Sequence, residues 1–230
     1  MLGSIARDIQ SLASPARAVV SAKYFKTGPG DYGEGDTFIG LTVPQMRAIA
    51  KKYSDLPYGD IEHLLHSPIH EYRYVALLVL VQKFEKNPED RKRIVEFYLA
   101  NTKHVNNWDL VDTSAPYILG AYVEEKPRRI LYTLVKSKSV WERRIAIVAT
   151  YALIRKHQFA DTLALAEELI YDKHDLIHKA TGWMLREIAN KNKVIVEKWL
   201  VKRIRYVPRT TLRYAIERFP EKRRKELLSM

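Results

Sequence analysis

The sequence predicts an all-α protein, a solenoid built from HEAT-like helical repeats. Apolar residues recur at helical spacing along nearly all of the 230 residues, and strand signals are sparse. Similar segments, each with a basic residue ahead of small and apolar ones, return at a period of about 35 residues. A period of that length with two helices is typical of an α-solenoid, so we expect one repeat domain over residues 1–230.

The N-terminal part, residues 1–40, differs from the repeats. We expect one helix over about 5–25, then a loop over 27–40 that holds five of the nine glycines. The loop sequence GPGDYG matches a dinucleotide-binding pattern by letter. No strand precedes it, and its acidic neighbours would repel phosphate, so we interpret it as a connecting loop.

The repeats are expected over 41–230. One helix is predicted over 139–156, opened by a capping box of Ser139 and Glu142, and another over 175–190, capped by Asp175. Pro116 lies inside a predicted helix and should kink it. The basic residues of the recurring segments, expected to line a concave groove, are Arg73, Arg144, Lys179 and Arg213.

Charge and composition bound the function. The net charge is +12, and the segment from Lys198 to Lys225 carries eleven lysines and arginines against two glutamates. A one-sided surplus of this kind is typical of polyanion binding, while the alternative is a solvated helical face. The absence of cysteine excludes disulfides, thiolate metal sites and a cysteine nucleophile. With no signal peptide or membrane span predicted, we expect a soluble cytoplasmic protein.

The stretch HVNNWDLVD, residues 104–112, is the most informative. Asn106 is expected as a helix N-cap, and Asp109 suits the first helical turn. Asp112 has no such structural explanation, and it shares a helical face with Trp108, four residues earlier. By contrast, HDLIH (174–178) imitates a zinc helix without a third ligand, so no metal is expected.

Several motifs together resemble the AlkD family of DNA alkylation repair glycosylases. They are WDLVD (108–112), WERRIAI (141–147), KATGWMLRE (179–187) and LRYAI (212–216), preceded by an entry segment over 22–51. The resemblance implies a right-handed superhelix of HEAT-like repeats with a basic concave face. It also implies hydrolysis of the N-glycosidic bond of N3- and N7-alkylated purines in duplex DNA, without a base-flipping pocket.

The resemblance also implies roles for single residues. Trp108 and Trp183 match the family's active-site tryptophans, and Asp112 matches its catalytic carboxylate. An arginine lining that site corresponds to Arg144. Further positions that contact or approach the DNA backbone correspond to Arg47, Lys179, Arg186 and Arg213. Asn107 stands where some members have another aromatic residue, which bears on the substrate range.

The chemistry fits one carboxylate. An alkylated purine is already cationic, so it leaves without a general acid, and positive charge develops on the deoxyribose. A fixed carboxylate at Asp112 would stabilise that charge, and indole faces attract a cationic nucleotide. We therefore expect a monomeric base excision repair enzyme without cofactors, acting on double-stranded DNA at the nucleoid. The alternatives are a non-catalytic nucleic-acid-binding relative and a protein-binding scaffold.

Overall fold

The computed structural model describes residues 1–230, and its regular structure is helical. One isolated β-bridge, between Thr37 and Ile69, is the only extended pairing. The all-α prediction is confirmed. Contacts divide the chain into two compact units, Met1–Ser114 and Ala115–Met230, and the single repeat domain stays a prediction. None of the helices combines the length and hydrophobicity needed to cross a bilayer.

The first unit contains seven α-helices and two short 3₁₀ turns. The α-helices are α1 (Leu2–Ser11), α2 (Pro15–Tyr24), α3 (Val43–Lys52), α4 (Tyr58–Leu65), α5 (His70–Lys86), α6 (Arg91–Ala100) and α7 (Trp108–Ser114). The 3₁₀ turns are Pro88–Asp90 and Thr102–His104. α5 is the central helix of this unit, buried over most of its length and packed against α3, α4 and α7.

The prediction of a single N-terminal helix over about 5–25 is wrong, because the helix is interrupted between α1 and α2. Pro15 occupies the first position of α2, and a proline pushes the residue before it into an extended conformation. Ser14 accordingly has φ −138° and ψ 102°, and its N–H donates to the Ile39 carbonyl at 2.8 Å. The interruption of the helix therefore allows Ser14 to form a backbone hydrogen bond with the loop that follows α2.

The loop over 27–40 is confirmed, and one buried carboxylate holds its end. Glu71 of α5 is 2% exposed and accepts hydrogen bonds from the N–H groups of Ile39, Gly40 and Leu41. Gly40 has φ +85°, and a Cβ there would lie 2.3 Å from the Ser14 carbonyl oxygen. Glycine is therefore required where the loop crosses the start of α2.

The second unit contains nine α-helices, a π-helical turn and a 3₁₀ turn. The α-helices are α8 (Ala121–Val123), α9 (Arg129–Leu134), α10 (Val140–Ala149), α11 (Tyr151–Arg155), α12 (Ala160–Glu168), α13 (Asp175–Lys191), α14 (Lys193–Arg203), α15 (Arg209–Ala215) and α16 (Glu221–Ser229). The π-helical turn is Pro116–Gly120, and the 3₁₀ turn is Leu169–Tyr171. Pro116 thus opens a π-helical turn, and the kink expected at this proline stays a prediction.

The helix predicted over 139–156 forms, but it is divided after Ala149 into α10 and α11. Ser139 caps α10, since its side chain accepts the Glu142 N–H, but the predicted capping box forms only in this half, because the Ser139 N–H donates to the Ser137 hydroxyl at 3.0 Å. The helix predicted over 175–190 is α13, the longest of this unit. Its cap is His174 and not Asp175, because the His174 ring nitrogen accepts the Leu176 N–H at 3.2 Å.

α13 packs against α10, α14 and α15, and its approach to α15 is very close. A Cβ added at Gly182 would lie 2.5 Å from the Tyr214 Cβ and 2.7 Å from the Thr211 carbonyl oxygen. Only a residue without a Cβ allows the two helix backbones this separation. Gly182 therefore sets the position of α13, and with it the position of Trp183.

Candidate functional site

α7 presents the WDLVD motif, and its start is fixed by Asn107. The Asn107 carbonyl accepts the Val111 N–H, and its side-chain oxygen accepts the Trp108 N–H at 2.8 Å. Asn107 is therefore the N-cap, and the prediction of Asn106 is wrong by one residue. The Asn107 side chain is fully buried and donates to Asp36 at 3.2 Å. It therefore does not reach the surface of the protein.

Trp108, the first residue of α7, belongs to an aromatic cluster. Its ring stacks on Phe25 with a centroid separation of 5.2 Å and an interplanar angle of 19°, and Tyr24 meets it edge-on at 6.0 Å. Phe25 in turn stacks on Phe38 at 5.0 Å. Packing on several sides holds the half-exposed indole in one orientation. The sequence reasoning missed these partners, although the aromatic pair YF at the end of α2 was a signal.

Asp112 lies one turn after Trp108 on α7, and its side chain is partly exposed. The other acidic side chains packed around this part of the unit serve the structure. Glu71 binds loop amides, and Asp36 and Asp109 both contact the buried His70. Asp109 also accepts the Leu110 N–H at 2.9 Å, in agreement with its predicted first-turn role.

The negative charge of Asp112 affects the pKa of a buried tyrosine, Tyr98. Burial raises the pKa of the Tyr98 hydroxyl, a hydrogen bond with Ser114 opposes the rise, and the negative charge of Asp112 adds to it. Asp112 thus lies near enough to Tyr98 of α6 for its charge to act on that hydroxyl, and its own side chain is partly exposed.

Arg47, expected near the DNA, is exposed on α3 close to the last turn of α7. Burial raises the pKa of Tyr74, the nearby Thr113 and Arg47 side chains reduce that rise, and the charge of Asp109 adds to it. Thr113 and Arg47 thus both lie near the Tyr74 hydroxyl, and Thr113 directly follows Asp112. The first unit therefore brings three predicted site residues into one neighbourhood: Trp108, Asp112 and Arg47.

Arg73, expected in the basic row of the groove, is buried instead. Its side chain is 4% exposed, and it contacts Asp36 at 2.6 Å and the Ser67 carbonyl at 2.8 Å. The prediction of a groove position for Arg73 is wrong. The reason is Asp36, which lies 37 residues earlier in the chain, in a loop whose fold the helical pattern did not predict.

The remaining predicted residues lie in the second unit, on α10, α13 and α15. Arg144 is 5% exposed, and its Nη1 donates to the Leu176 carbonyl at 2.7 Å, which ties α10 to the first turn of α13. Trp183 is half-buried, with its Nε1 donating to Glu187 at 3.0 Å and its ring 6.1 Å from Tyr151. The indole is therefore oriented by its own helix and by α11.

Three basic residues of this unit differ in their availability to a ligand. Lys179, four residues before Trp183, contacts Asp175 at 2.6 Å and is about half exposed. Arg186 forms ion pairs with both Glu187 and Glu217. Arg213 is exposed on α15. Of the three, Arg213 is the most accessible and Arg186 the most neutralised by neighbouring acids.

The C-terminal basic segment, Lys198–Lys225, is folded, with Trp199 buried at 7% exposure as expected of a core residue. Arg203 lies 4.9 Å over the Trp199 ring and forms a bidentate pair with Glu167, and Arg223 pairs with Glu197 and Glu226. The remaining exposed basic side chains include Lys198, Lys202, Arg205, Arg213, Arg218, Lys222 and Arg224. These side chains keep the segment strongly positive.

The histidines of HDLIH serve the backbone. His174 caps α13, and the His178 ring contacts the Asp172 carbonyl at 2.6 Å. No group of three or more histidine, aspartate or glutamate side chains is placed to hold a metal ion.

Comparison with known proteins gives a consistent result. The family model described as DNA alkylation repair enzyme matches residues 5–219. The chain belongs to the DNA alkylation repair enzyme family. The AlkD resemblance is thereby confirmed, and membership makes this chain an enzyme of alkylated-DNA repair, with DNA as its partner.

A solved structure shares the fold. A protein titled "Predicted DNA alkylation repair enzyme from Enterococcus faecalis" superposes with a TM-score of 0.71 at 20% sequence identity, covering 91% of this chain and 97% of that chain. At that identity the likeness speaks for the helical fold of the DNA alkylation repair enzyme family. No curated protein matches the chain by sequence.

Proposed function

We propose that the protein is a DNA glycosylase that excises N3- and N7-alkylated purines, such as 3-methyladenine and 7-methylguanine, from duplex DNA. One observation carries the proposal. Asp112 is a partly exposed carboxylate on the same face of α7 as the fixed indole of Trp108, in a chain of net charge +12. In a chain of the DNA alkylation repair enzyme family, a partly exposed carboxylate that shares a helix face with an aromatic ring is suited to stabilising a cationic sugar.

The chemistry requires little more than that pair. A base alkylated at N3 or N7 is a cation and a good leaving group, so its departure needs no proton. As the C1′–N bond lengthens, positive charge develops on the sugar, and the Asp112 carboxylate stabilises it and orients the attacking water. The face of Trp108 attracts the cationic nucleotide by about 0.5–2 kcal/mol, an attraction that an undamaged base does not provide.

The other site residues are assigned to binding. Trp183 is proposed to contact the damaged nucleotide, and Arg144 is proposed to line the same site. The exposed Arg47, Lys179 and Arg213 are proposed to contact backbone phosphates, with Arg186 in a weaker role because two glutamates already neutralise it. Phosphate contacts position the duplex without reading its sequence, which suits an enzyme that acts at damage anywhere in DNA.

The test is release of modified bases from methylated duplex DNA. We expect the unmodified protein to release 7-methylguanine and 3-methyladenine under single-turnover conditions. Asp112→Asn should lower the rate by about 10²–10³, the usual cost of losing one preorganised electrostatic group, while duplex binding is retained. Asp55→Asn, an exposed acid of the same unit, is the matched control for the change of one charge.

Equal rates for Asp112→Asn and Asp55→Asn would remove Asp112 from the mechanism. Duplex binding that weakens with salt, without release of any base, would favour the non-catalytic nucleic-acid-binding alternative, which the exposed C-terminal basic segment also suits. Salt-dependent duplex binding would exclude the protein-binding scaffold, and its absence would favour that alternative.

A further inference from the structure

A cluster of four buried charged side chains lies beneath Trp108. We name it the His70 cluster; its members are Asp36 of the loop, His70 and Arg73 of α5, and Asp109 of α7. Their side chains are 2–4% exposed, except for Asp109 at 15%. Burying charges costs free energy unless they are paired, so the pairing within this cluster decides whether it stabilises the unit.

The geometry sets the protonation state of His70. Its Nδ1 lies 3.1 Å from an Asp36 oxygen, and its Nε2 lies 2.9 Å from an Asp109 oxygen. A neutral imidazole has one N–H, so one ring nitrogen would direct its lone pair at a carboxylate. Only the doubly protonated ring donates to both.

The charge balance gives the same answer. Arg73 contacts the second oxygen of Asp36 at 2.6 Å, so two carboxylates face one guanidinium and one imidazole. The cluster is neutral with an imidazolium and carries one uncompensated buried charge without it. Glu71, the remaining charged group nearby on α5, is taken up by the loop amides of Ile39 to Leu41. The pKa of His70 is raised: burial, the largest influence, lowers it, but Asp109 and Asp36 outweigh burial and Arg73 together.

His70 also supports both features that fix the start of α7. Through Asp109 it holds the first turn, and Asp36 receives the side-chain amide of the N-cap Asn107. The His70 ring stacks on Phe38 at 4.5 Å and lies 5.0 Å from Phe25, the ring on which Trp108 stacks. The His70 side chain thus contacts Asp36 and Asp109, which hold the start of α7, and Phe25, which stacks on the Trp108 indole.

We propose that the imidazolium of His70 is a positioning residue that orients α7, and thereby Trp108 and Asp112, without touching DNA. The catalytic part of this inference rests on the proposed glycosylase function. The structural part, a doubly protonated His70 that anchors α7, stands without it.

The protonation state is measured directly on the unmodified protein. Long-range ¹H–¹⁵N spectra resolve the seven histidines, and the His70 signal is the one that His70→Gln removes or Asp109→Asn shifts. We expect both His70 nitrogens to carry protons at pH 7. Because its folded-state pKa is raised, its stabilising effect is complete below the ordinary value of about 6.5 and is lost as pH rises through the folded-state pKa. A single-proton tautomer at pH 7 overturns the proposal.

The link to α7 is measured with variants. His70→Gln should speed amide exchange in residues 105–114 and lower the single-turnover rate by about tenfold or more, since misplacing a catalytic group by an ångström costs up to about 100-fold. In the unmodified protein the rate should fall on the alkaline side, in step with the His70 signal. Asp109→Asn removes the need for the second proton, so there the alkaline fall should disappear.

The outcomes separate the two proposals. An alkaline fall that persists unchanged in Asp109→Asn, or amide exchange in α7 that ignores the charge of His70, overturns the positioning role even if the protein excises bases. A protein that releases no alkylpurine overturns the glycosylase, while the spectra and the exchange of α7 still decide what His70 does. If His70→Gln does not fold, the unmodified protein and Asp109→Asn carry the test.

Discussion

Gly182→Ala tests how closely α13 and α15 pack. The added Cβ would lie 2.5 Å from the Tyr214 Cβ and 2.7 Å from the Thr211 carbonyl oxygen. Carbon atoms in contact normally lie about 3.5–4.0 Å apart, so the helices must separate by roughly 1 Å. The Thr211 oxygen belongs to the backbone, and the Tyr214 Cβ is bonded directly to its own backbone Cα. Rotation of a side chain therefore cannot relieve the overlap. Overpacking of this kind costs about 1–3 kcal/mol, and we expect the free energy of unfolding to fall by that amount.

The measurement is urea unfolding, with amide exchange in α13 and α15 as a local readout. Gly59→Ala is the matched control, because Gly59 is exposed in α4 and a Cβ there meets nothing within 4 Å. That control should be neutral or stabilising by up to about 1 kcal/mol, since alanine restricts the unfolded chain. If Gly182→Ala unfolds at the same urea concentration as the unmodified protein, the close approach of α13 to α15 is refuted.

Two further predictions concern pH and salt. Burial raises the pKa of Asp36, but hydrogen bonds from His70 and Asn107 and the charge of Arg73 outweigh it, so the pKa is lowered overall. Its stabilising contribution should therefore be complete above the ordinary pKa of about 3.9 and be lost as pH falls through the folded-state value. Urea midpoints should show this loss in the unmodified protein and a shallower one in Asp36→Asn. In DNA binding, Arg213→Ala should reduce the slope of log K against log salt by about 0.9, the value for one phosphate contact. Arg186→Ala should change the slope less, because Glu217 and Glu187 already neutralise that arginine, and equal changes would refute this ranking.

The helical elements were predictable from local signals. The Ser139 cap, the loop over 27–40 and the body of α13 are each signalled by residues a few positions apart, and the structure has all three. The errors in the capping residues, Asn107 for Asn106 and His174 for Asp175, are shifts of one residue among several side chains able to cap.

The interior of the candidate site was not predictable in the same way. The partners of His70 and Arg73 include Asp36, which lies 34 and 37 residues from them in sequence, and Phe25 lies 83 residues before Trp108. Helical periodicity gives no information about contacts at such distances. Arg73 was expected in the groove because it is the basic residue of one recurring segment, and its burial depends on the Asp36 carboxylate, which the loop supplies.

The fastening of the loop after α2 has a practical consequence. Its far end is tied to α5 through Asp36 and the Glu71 carboxylate, and its near end is closed by the Gly33 N–H on the Lys26 carbonyl at 3.1 Å. Within the turn that the Gly33–Lys26 bond closes, Gly30 is exposed with open space around it. Extra length at a tethered surface turn adds little closure entropy, so a spectroscopic label or short peptide tag inserted at Gly30 would report on the protein while leaving α7 in place.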